Sequence, residues 1–400
     1  MQYPTRFSEL PEYAFPRLRA LLDHHQPGGE LLAMSIGEPT HKFPEFVEEI
    51  LNRNMAGFNK YPPNDGTPEL RAAIAGWLER RFGLKSVDPD TEVMSLNGTR
   101  EGLFNAAIAL SPEVKNGKQP AVLLPNPFYQ CYMVAAKTAG AEPVFVNATA
   151  ETGFLPDYHS LPRDVLERTT LAYICSPSNP QGAVASADYL QRLVKLAEQY
   201  DFKILADECY SEIYRDTPPA GALKAAEDVV ADPERVMVFH SLSKRSNLPG
   251  LRSGFVAGGP KNIAAMKQLR AYTGAPVPLP LQQVSAAVWS DEGHVERNRD
   301  LYRKKFALAD KVFGNMSGYI KPQAGFFLWL PVGDGEAAAL KLWQETGVRA
   351  LPGAYLSQDT AAGNPGKAYL RVAMVAPEAE IERGFTAIRD CIGDRIGMTD

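Results

Sequence analysis

The sequence contains few of the features that define several common protein classes. Only four of its 400 residues are cysteine and none forms a C-x-x-C pair, so it gives no sign of a disulfide scaffold or a zinc site. No stretch reaches the roughly 18 consecutive apolar residues of a membrane span. The N-terminal residues lack the apolar core of a signal peptide. These absences favour a soluble protein of a reducing compartment, which we expect to be the cytoplasm.

Charge of one sign is not in excess either, since Lys and Arg total 42 against 47 for Asp and Glu, a formal net charge of −5. A mildly acidic balance keeps a protein in solution and gives no reason to expect a nucleic-acid or membrane partner. Apolar residues make up 45 % and charged residues 22 % of the chain, which argues against a disordered or fibrous protein. A chain of 400 residues is long enough for two domains.

Short apolar runs alternate with amphipathic segments between about residue 66 and residue 260. Four almost wholly apolar runs, each bounded by polar or turn residues, are 121–124, 171–175, 202–206 and 235–239. Such runs are typical of strands in a parallel sheet that is covered on both faces. Residues 189–198 have the apolar spacing of a helix that packs on a sheet. The pattern predicts an α/β fold, whose ligands bind beyond the carboxyl ends of the strands.

The pattern changes after about residue 285. A long polar helix is expected from residue 292 to about 313, followed by an apolar run at 324–330, another helix and a second run at 368–374. Helices and strands without regular alternation indicate a smaller α+β domain. The first 45 residues also lack the alternation. We therefore predict a large domain over residues 46–284 and a small domain from residues 1–45 and 285–400.

The most informative segment is 239–255, which places Lys244 on the loop after a predicted strand. Two serines, Ser241 and Ser243, and two arginines, Arg245 and Arg252, crowd this lysine. Neighbouring cations lower the pKa of a lysine, and a free amine is what imine formation with an aldehyde requires. The serine hydroxyls and an arginine also suit a phosphate. A solvated cluster of basic residues is the ordinary alternative.

Three further features lie beyond other predicted strand ends. Asp207 could pair with a protonated ring nitrogen, although it could equally cap a helix. Residues 98–100 open a helix whose amides could bind an anion, although the G-x-G spacing of a dinucleotide site is absent. Asn179 and Tyr129 could contact a phenolic oxygen and a ring face, although each alone also fits a structural role.

Together these residues would surround a phosphate, a ring nitrogen, a ring face and a reactive amine. Pyridoxal 5'-phosphate (PLP) carries the matching groups, since its aldehyde forms an imine with an amine and its protonated ring takes up electrons. The sequence therefore predicts a PLP site at the carboxyl edge of the main sheet. No cluster of residues has the spacing of metal ligands, so no metal is expected.

The residues of this site resemble those of class I aminotransferases, which are PLP enzymes of fold type I. The motifs that carry the resemblance are Ser241-x-Ser-Lys244 with Arg252, Asp207-Glu-x-Tyr210, Ser178-Asn179-Pro180-x-Gly182, Ser35-Ile-Gly-Glu-Pro39 and a late Arg371. The resemblance implies a mostly parallel seven-stranded sheet flanked by helices, plus the smaller α+β domain. It also implies small amino-acid and 2-oxo-acid substrates and a homodimer with active sites at the subunit interface.

The same resemblance implies a role for each matching residue. The catalytic residues would be Lys244, which forms the imine and moves the proton, Asp207, which pairs with the ring nitrogen, and Tyr210. The cofactor would be bound by Gly98, Thr99, Arg100, Tyr129, Asn179, Asp207, Tyr210, Ser241, Ser243, Lys244, Arg252 and, from the other subunit, Tyr61. The substrate would be bound by Gly37, Asn179 and Arg371, of which Arg371 would clamp the α-carboxylate.

A narrower similarity is to the N-succinyldiaminopimelate aminotransferases of bacterial lysine synthesis. It is carried by residues 97–100, 125–130, 207–214 and 240–254. Arg245 supports this branch, whereas Gln181, which replaces the usual Thr, is unexplained. The additional carboxylates of such a substrate need cationic or polar partners, for which the candidates are Lys42, Arg17, Arg100 and Arg245.

Other interpretations remain open at this point. An aspartate, alanine or aromatic aminotransferase of the same class would apply the same chemistry to another substrate. The segment Ser241-Leu-Ser-Lys244 also fits the S-x-x-K motif of serine hydrolases, but the companion S-D-N and K-T-G motifs are absent. A PLP-binding transcription regulator would need a helix-turn-helix, for which the first 35 residues are too few and too proline-broken.

Overall fold

The computed structural model describes residues 5–8, 10 and 12–393, which contain twelve strands and fourteen α-helices. The strands are β1 (Leu32–Ala33), β2 (Val93–Leu96), β3 (Ala121–Asn126), β4 (Glu142–Asn147), β5 (Thr169–Cys175), β6 (Lys203–Asp207), β7 (Val236–Ser241), β8 (Gly254–Gly258), β9 (Phe327–Pro331), β10 (Val348–Arg349), β11 (Leu351–Pro352) and β12 (Tyr369–Ala373). The helices are α1 (Ala14–Leu22), α2 (Phe46–Asn54), α3 (Pro68–Phe82), α4 (Thr99–Leu110), α5 (Gln130–Thr138), α6 (Arg163–Glu167), α7 (Ala187–Tyr200), α8 (Ala222–Asp228), α9 (Leu242–Arg245), α10 (Pro260–Thr273), α11 (Leu279–Ser290), α12 (Gly293–Phe313), α13 (Gly335–Thr346) and α14 (Glu378–Ile392).

Seven strands form the main sheet in the order β2-β8-β7-β6-β5-β3-β4. Strands β7, β6, β5, β3 and β4 are parallel to one another, and β8 is antiparallel to both of its neighbours. The predicted α/β fold with a mostly parallel, seven-stranded sheet is therefore confirmed.

Helices cover both faces of this sheet, which explains why its central strands are apolar along their whole length. Ile204 of β6 packs into a core formed with α3 and α7, whereas the next residue, Leu205, packs into a core formed with α4 and α5. Helix α7 begins where the Ser186 hydroxyl accepts a hydrogen bond of 3.1 Å from the Tyr189 amide. Such a cap supplies a partner for an amide that the helix itself leaves unpaired.

Three strands continue further than the apolar runs predict. Strand β6 includes Asp207, because this residue still pairs with Cys175 and Phe239 in the neighbouring strands. Strand β7 reaches Ser241, so both polar side chains lie on the last residue of a strand. Strand β3 runs through Pro125, where it pairs only with β4, and a missing amide is tolerated at a position with one neighbouring strand.

The chain from helix α12 onward forms a smaller α+β unit. Strands β11, β12 and β9 make an antiparallel sheet that shares a core with α12, α13 and α14. Strand β1 pairs in parallel with β10, which joins residues near the start of the chain to this unit. The proposed domain boundaries stay a prediction, and the ends 1–4 and 394–400 lie outside the described residues. No helix in the described ranges has the length and apolar character needed to cross a bilayer.

Candidate active site

A cavity of about 290 Å³ lies at the carboxyl ends of β5, β6 and β7, and residues of the smaller unit line its other side. Most of the residues that the sequence analysis selects line it: Gly37, Thr99, Arg100, Tyr129, Asn179, Asp207, Tyr210, Ser241, Ser243, Lys244, Arg252 and Arg371. The folded chain thus brings together residues that are distant in sequence. No group of three or more metal-ligating side chains occurs among the described residues.

Lys244 lies on the one-turn helix α9, directly after the end of β7. Its ammonium donates a hydrogen bond to the carbonyl of Gly37, and it lies 5.1 Å from the centre of the Phe326 ring. Burial is the largest cause that lowers its pKa to about 8, and the nearby charges of Arg371 and Arg252 contribute to the same shift. The lowered pKa therefore depends on burial more than on the neighbouring cations that the sequence indicates.

Asp207 is buried at the end of β6, where the backbone amide of Cys209 donates to its Oδ1 at 3.3 Å. The hydroxyl of Tyr132 donates to its Oδ2 at 2.6 Å. Both contacts fix the carboxylate at the floor of the cavity. An anion in this position can hold a proton on the nitrogen of a bound ring.

Tyr132 is a residue of the site that the sequence analysis missed. It is fully buried in α5 and stacks on Tyr173 with ring centres 4.4 Å apart. Burial raises its pKa well above the usual range, so its hydroxyl remains protonated and donates to Asp207. Its position three residues after Tyr129, which caps the start of α5, is the available signal, because that spacing keeps the two residues within one turn of each other.

An anion cradle is formed where Gly98 and Thr99 begin helix α4. Gly98 has a φ of +84°, and a Cβ atom there would collide with the Arg252 guanidinium, so only glycine lets the two groups approach this closely. The hydroxyl of Ser241 accepts a hydrogen bond of 3.1 Å from the amide of Ser243. Within the described residues no carboxylate pairs with Arg252, which leaves its charge for a ligand.

Arg371 lies on β12 and points into the cavity from the opposite side. It is 4 % exposed, and it donates to Asn179 Oδ1 at 3.0 Å and to the Ser35 carbonyl at 2.6 Å. Its Nε is buried without a partner in the described part of the chain. Burial lowers its pKa to about 10, so it is still cationic at neutral pH. A buried cation without a paired carboxylate fits an anionic ligand group.

The remaining aromatic residues enclose the same space. Tyr129 accepts a hydrogen bond from Arg100 Nε, and burial raises the pKa of its hydroxyl. Tyr210 is buried, with its ring 5.3 Å from that of Phe326, and burial raises its pKa as well. The flat, apolar faces and the buried hydroxyls fit a planar ring that carries a phenolic oxygen.

Two predicted cofactor residues, Gly98 and Tyr61, are not among the lining residues of the cavity. Gly98 directly precedes the lining residue Thr99, whereas the side chain of Tyr61 is fully exposed, at 102 % of the reference area. Its assignment to the site of a second subunit stays a prediction.

Among the four cations considered for further carboxylates, only Arg100 lines the cavity. Arg17 lies over the Tyr355 ring and 3.7 Å from a Glu336 carboxylate oxygen, and Lys42 is not a lining residue. The expectation for Arg245 is wrong, because its guanidinium is 1 % exposed on the far side of α9. There it donates to the carbonyl of Val288 at 2.8 Å and packs beside the rings of Trp77 and Trp289.

The donor set fits PLP as a whole. The cradle of Gly98 and Arg252 suits the phosphate, the carboxylate of Asp207 suits the ring nitrogen, and the amine of Lys244 suits the aldehyde. A Cβ at position 98 would meet the guanidinium of Arg252, the cation that suits the phosphate, which makes this arrangement specific to the glycine.

Comparison with known proteins agrees with this chemistry. Residues 30–388 match the family described as aminotransferases of class I and II. The LL-diaminopimelate aminotransferase of Dehalococcoides mccartyi is 30 % identical to this chain, and the match covers 97 % of this chain and 98 % of that protein. The LL-diaminopimelate aminotransferase of Desulforudis audaxviator is 31 % identical, and the match covers 97 % of both chains.

Solved structures show the same similarity. An aminotransferase from Neisseria meningitidis is 39 % identical with a TM-score of 0.92, covering 97 % of this chain and 99 % of that one. The aminotransferase AspB from Helicobacter pylori is 36 % identical with a TM-score of 0.89, covering 98 % and 100 %.

Proposed function

The chain belongs to the aminotransferases of class I and II and uses PLP, and from this premise we propose that it is an N-succinyldiaminopimelate aminotransferase. In the proposed reaction glutamate gives its amino group to the 6-oxo carbon of N-succinyl-2-amino-6-oxopimelate. The products are 2-oxoglutarate and N-succinyl-LL-2,6-diaminopimelate, an intermediate of lysine synthesis. We further propose that it acts in the cytoplasm as a homodimer.

Lys244 is the proposed base of the reaction. When bound, PLP accepts into its ring the electron pair of the substrate bond that is broken. The Lys244 amine takes the proton from the amino-bearing carbon of the amino donor. In the second half of the reaction it delivers a proton to the oxo carbon of the acceptor, which becomes the new amino-bearing carbon. A pKa of about 8 suits both directions, because the amine and the ammonium are both populated near neutral pH.

Asp207, held by Tyr132 and the Cys209 amide, is proposed to keep the ring nitrogen protonated. Gly98, Thr99, Ser241, Ser243 and Arg252 are proposed to hold the phosphate, with Tyr61 reaching in from the second subunit. Asn179 and Tyr210 would contact the phenolic oxygen of the ring. Tyr129 would pack against the ring face.

Arg371 carries the substrate part of the proposal, because it is a buried cation without a carboxylate partner in the described chain. It would bind the α-carboxylate that glutamate and the larger substrate share, close to the backbone of Gly37. Arg100 lines the mouth of the cavity and is the cation best placed for a distal carboxylate.

A second candidate is amino transfer to the free, unacylated diaminopimelate skeleton. It is favoured by the printed name of the relatives, LL-diaminopimelate aminotransferase. The sequence segments around Lys244 and Arg245 favour the succinylated substrate. An aspartate, alanine or aromatic aminotransferase remains a further outcome of the test.

The test is a comparison of kcat/KM for N-succinyl-LL-diaminopimelate, LL-diaminopimelate, aspartate, alanine and phenylalanine, each with 2-oxoglutarate. We expect the succinylated compound to be preferred by at least about tenfold, which corresponds to about 1.4 kcal/mol. Preference for any of the other donors contradicts the substrate proposal but leaves the aminotransferase assignment intact.

The dimer is tested by mixing two inactive or weakened variants, Tyr61→Ala and Lys244→Ala, under conditions of subunit exchange. Activity above the sum of the separate variants is expected, because one site of the mixed dimer would contain both native residues. Purely additive activity in exchanged dimers contradicts the role of Tyr61 in the partner's site.

A further inference from the structure

Three chain segments meet behind Lys244 in a buried polar cluster that the proposed reaction does not use. The segments are residues 37–42, the loop after Lys244, and helix α12 of the smaller unit. The cluster, which we call the junction cluster, consists of His41, Asn247, Asn298 and Lys305.

Lys305 is the charged member of the cluster. It is 2 % exposed, and within the described residues no carboxylate is paired with it. Its ammonium donates to His41 Nε2 at 2.8 Å and to the Val375 carbonyl at 3.2 Å. A buried ammonium with only neutral acceptors is uncommon, because it loses its hydration without gaining an opposite charge.

His41 connects Lys305 to Asn298. Its Nδ1 lies 3.0 Å from Asn298 Oδ1, which can only accept, so Nδ1 carries the hydrogen and Nε2 accepts from Lys305. Burial and the charge of Lys305 both lower the pKa of His41, so the ring stays neutral in this arrangement. The ring also packs against that of Tyr302, with centres 4.9 Å apart.

Asn298 connects this chain of hydrogen bonds to the catalytic lysine. Its Oδ1 also accepts from Asn247 Nδ2 at 3.0 Å, and its Nδ2 donates to the backbone carbonyl of Lys244 at 3.5 Å. Asn247 lies in the left-handed region with a φ of +54° and also donates to the Lys42 carbonyl at 3.3 Å. The loop after Lys244 is thus held on α12 by side chains.

The segment that carries His41 also carries Gly37, whose carbonyl accepts the hydrogen bond from the Lys244 ammonium. Thr40, in the same segment, donates to the Val375 carbonyl at 2.7 Å, the same carbonyl that Lys305 contacts. The junction cluster therefore fixes both the main chain of Lys244 and the acceptor of its amine.

We propose that His41 and Lys305 are positioning residues for Lys244. Together they hold the main chain of Lys244 and the Gly37 carbonyl at the relative positions in which the Lys244 amine points at the reacting carbon. Neither residue contacts the cavity. The role is independent of which amino acid is the substrate, so a failure of the substrate proposal does not affect it.

The charges that face these groups show what the spectroscopic test measures. Lys305 is faced by His41 and by Glu378 of α14. The groups that shift the pKa of the Lys244 amine are Cys209, Arg371, Glu38 and Arg252, together with burial. Lys305 is not one of them, so a changed spectrum in a Lys305 variant reports a displaced lysine and not the loss of a nearby charge.

The test uses the PLP-loaded full-length enzyme with Lys305→Met and, as a matched control, Lys304→Met, which removes an exposed charge one residue earlier on α12. We expect Lys305→Met to bind PLP stoichiometrically and to melt no lower than the native enzyme, since an apolar side chain replaces a buried charge. Its kcat should fall about 10- to 100-fold, the size expected for a slightly misplaced catalytic group. The pH midpoint of its visible absorption band should shift from the native value, because the Lys244 main chain and the Gly37 segment lose their support, whereas that of Lys304→Met should not.

A second pair of variants keeps the test decisive if Lys305→Met does not fold. His41→Phe retains the ring contact with Tyr302 but neither polar atom, whereas His41→Gln retains one donor and one acceptor. The glutamine variant should restore most of the kcat that the phenylalanine variant loses. Three results would overturn the proposal. The first is a native kcat and a native absorption midpoint in Lys305→Met, and the second is an equal effect of Lys304→Met. The third is equal impairment of both His41 variants.

Discussion

Replacement of Tyr132 by phenylalanine removes one hydroxyl and almost nothing else, which makes it the sharpest probe of the Asp207 site. The hydroxyl donates to Asp207 Oδ2 at 2.6 Å and is completely buried. In Tyr132→Phe the carboxylate loses this short contact and keeps the longer one, 3.3 Å from the Cys209 amide. The carboxylate would then be less firmly held below the ring nitrogen.

The expected loss follows from the strength of such a bond. A hydrogen bond to a charged group contributes about 1.5–3 kcal/mol, and each 1.4 kcal/mol is tenfold in rate. If the whole contribution is felt in the reaction, kcat/KM falls about 10- to 150-fold. The assay is kcat/KM with the best amino donor, together with the dissociation constant for PLP.

Tyr173 supplies the matched control. It is equally buried, stacks on Tyr132, and its hydroxyl donates to the neutral carbonyl of Leu103 at 2.7 Å. Tyr173→Phe should lower the free energy of unfolding by about 0.5–1.5 kcal/mol and leave kcat/KM within about twofold. Equal losses of activity in both variants, or native activity in Tyr132→Phe, would refute the reasoning, because the effect would then not depend on the bond to Asp207.

Four other outcomes are expected. Asp207→Ala should still bind PLP but lower kcat by more than Tyr132→Phe does, since the ring nitrogen loses its anion; near-native kcat would contradict this role. Gly98→Ala should weaken PLP binding at least about tenfold in equilibrium dialysis, because its Cβ would displace Arg252 at a φ of +84°. Arg371→Lys should lower kcat/KM for amino donors by about 10- to 150-fold through loss of the planar fork, and an unchanged value would remove Arg371 from the substrate site. The rate at which the cofactor-free enzyme takes up PLP should rise with pH with a midpoint near 8, the lowered pKa of Lys244, and level off above it. A rise that continues unchanged toward the ordinary lysine pKa would show that the amine is not buried.

Much of the fold follows from the pattern of apolar runs, because the central strands are covered on both faces and therefore lack polar positions. The ends of β6 and β7 were placed too early, since Asp207 and Ser241 are polar side chains that still belong to hydrogen-bonded strands. Polarity marks where a ligand is expected, but pairing with neighbouring strands decides where a strand ends.

The residues of the site also differ in how far the sequence indicates them. Asp207 ends an apolar strand, Arg371 interrupts one, and Lys244 lies among serines and arginines directly after one, and such patterns are visible in a sequence. Tyr132 was missed because a tyrosine among apolar helix residues looks like an ordinary core residue. The sequence offers Arg245 and Arg100 equally as partners for a further carboxylate, because it does not say which side of a one-turn helix faces the cavity; the structure buries Arg245 away from the cavity lining.

The hydrogen bonds of Arg371 join residues 336 and 192 positions apart, Ser35 and Asn179. On the ribosome, the chain has emerged as far as Lys244 and Arg252 well before Arg371 is made. The residues proposed to hold the phosphate, from Gly98 to Arg252, are therefore all synthesised before the residue proposed to bind the substrate carboxylate. The order of synthesis thus separates the two halves of the site, and Arg371 can join it only after the last strand of the smaller unit has been made.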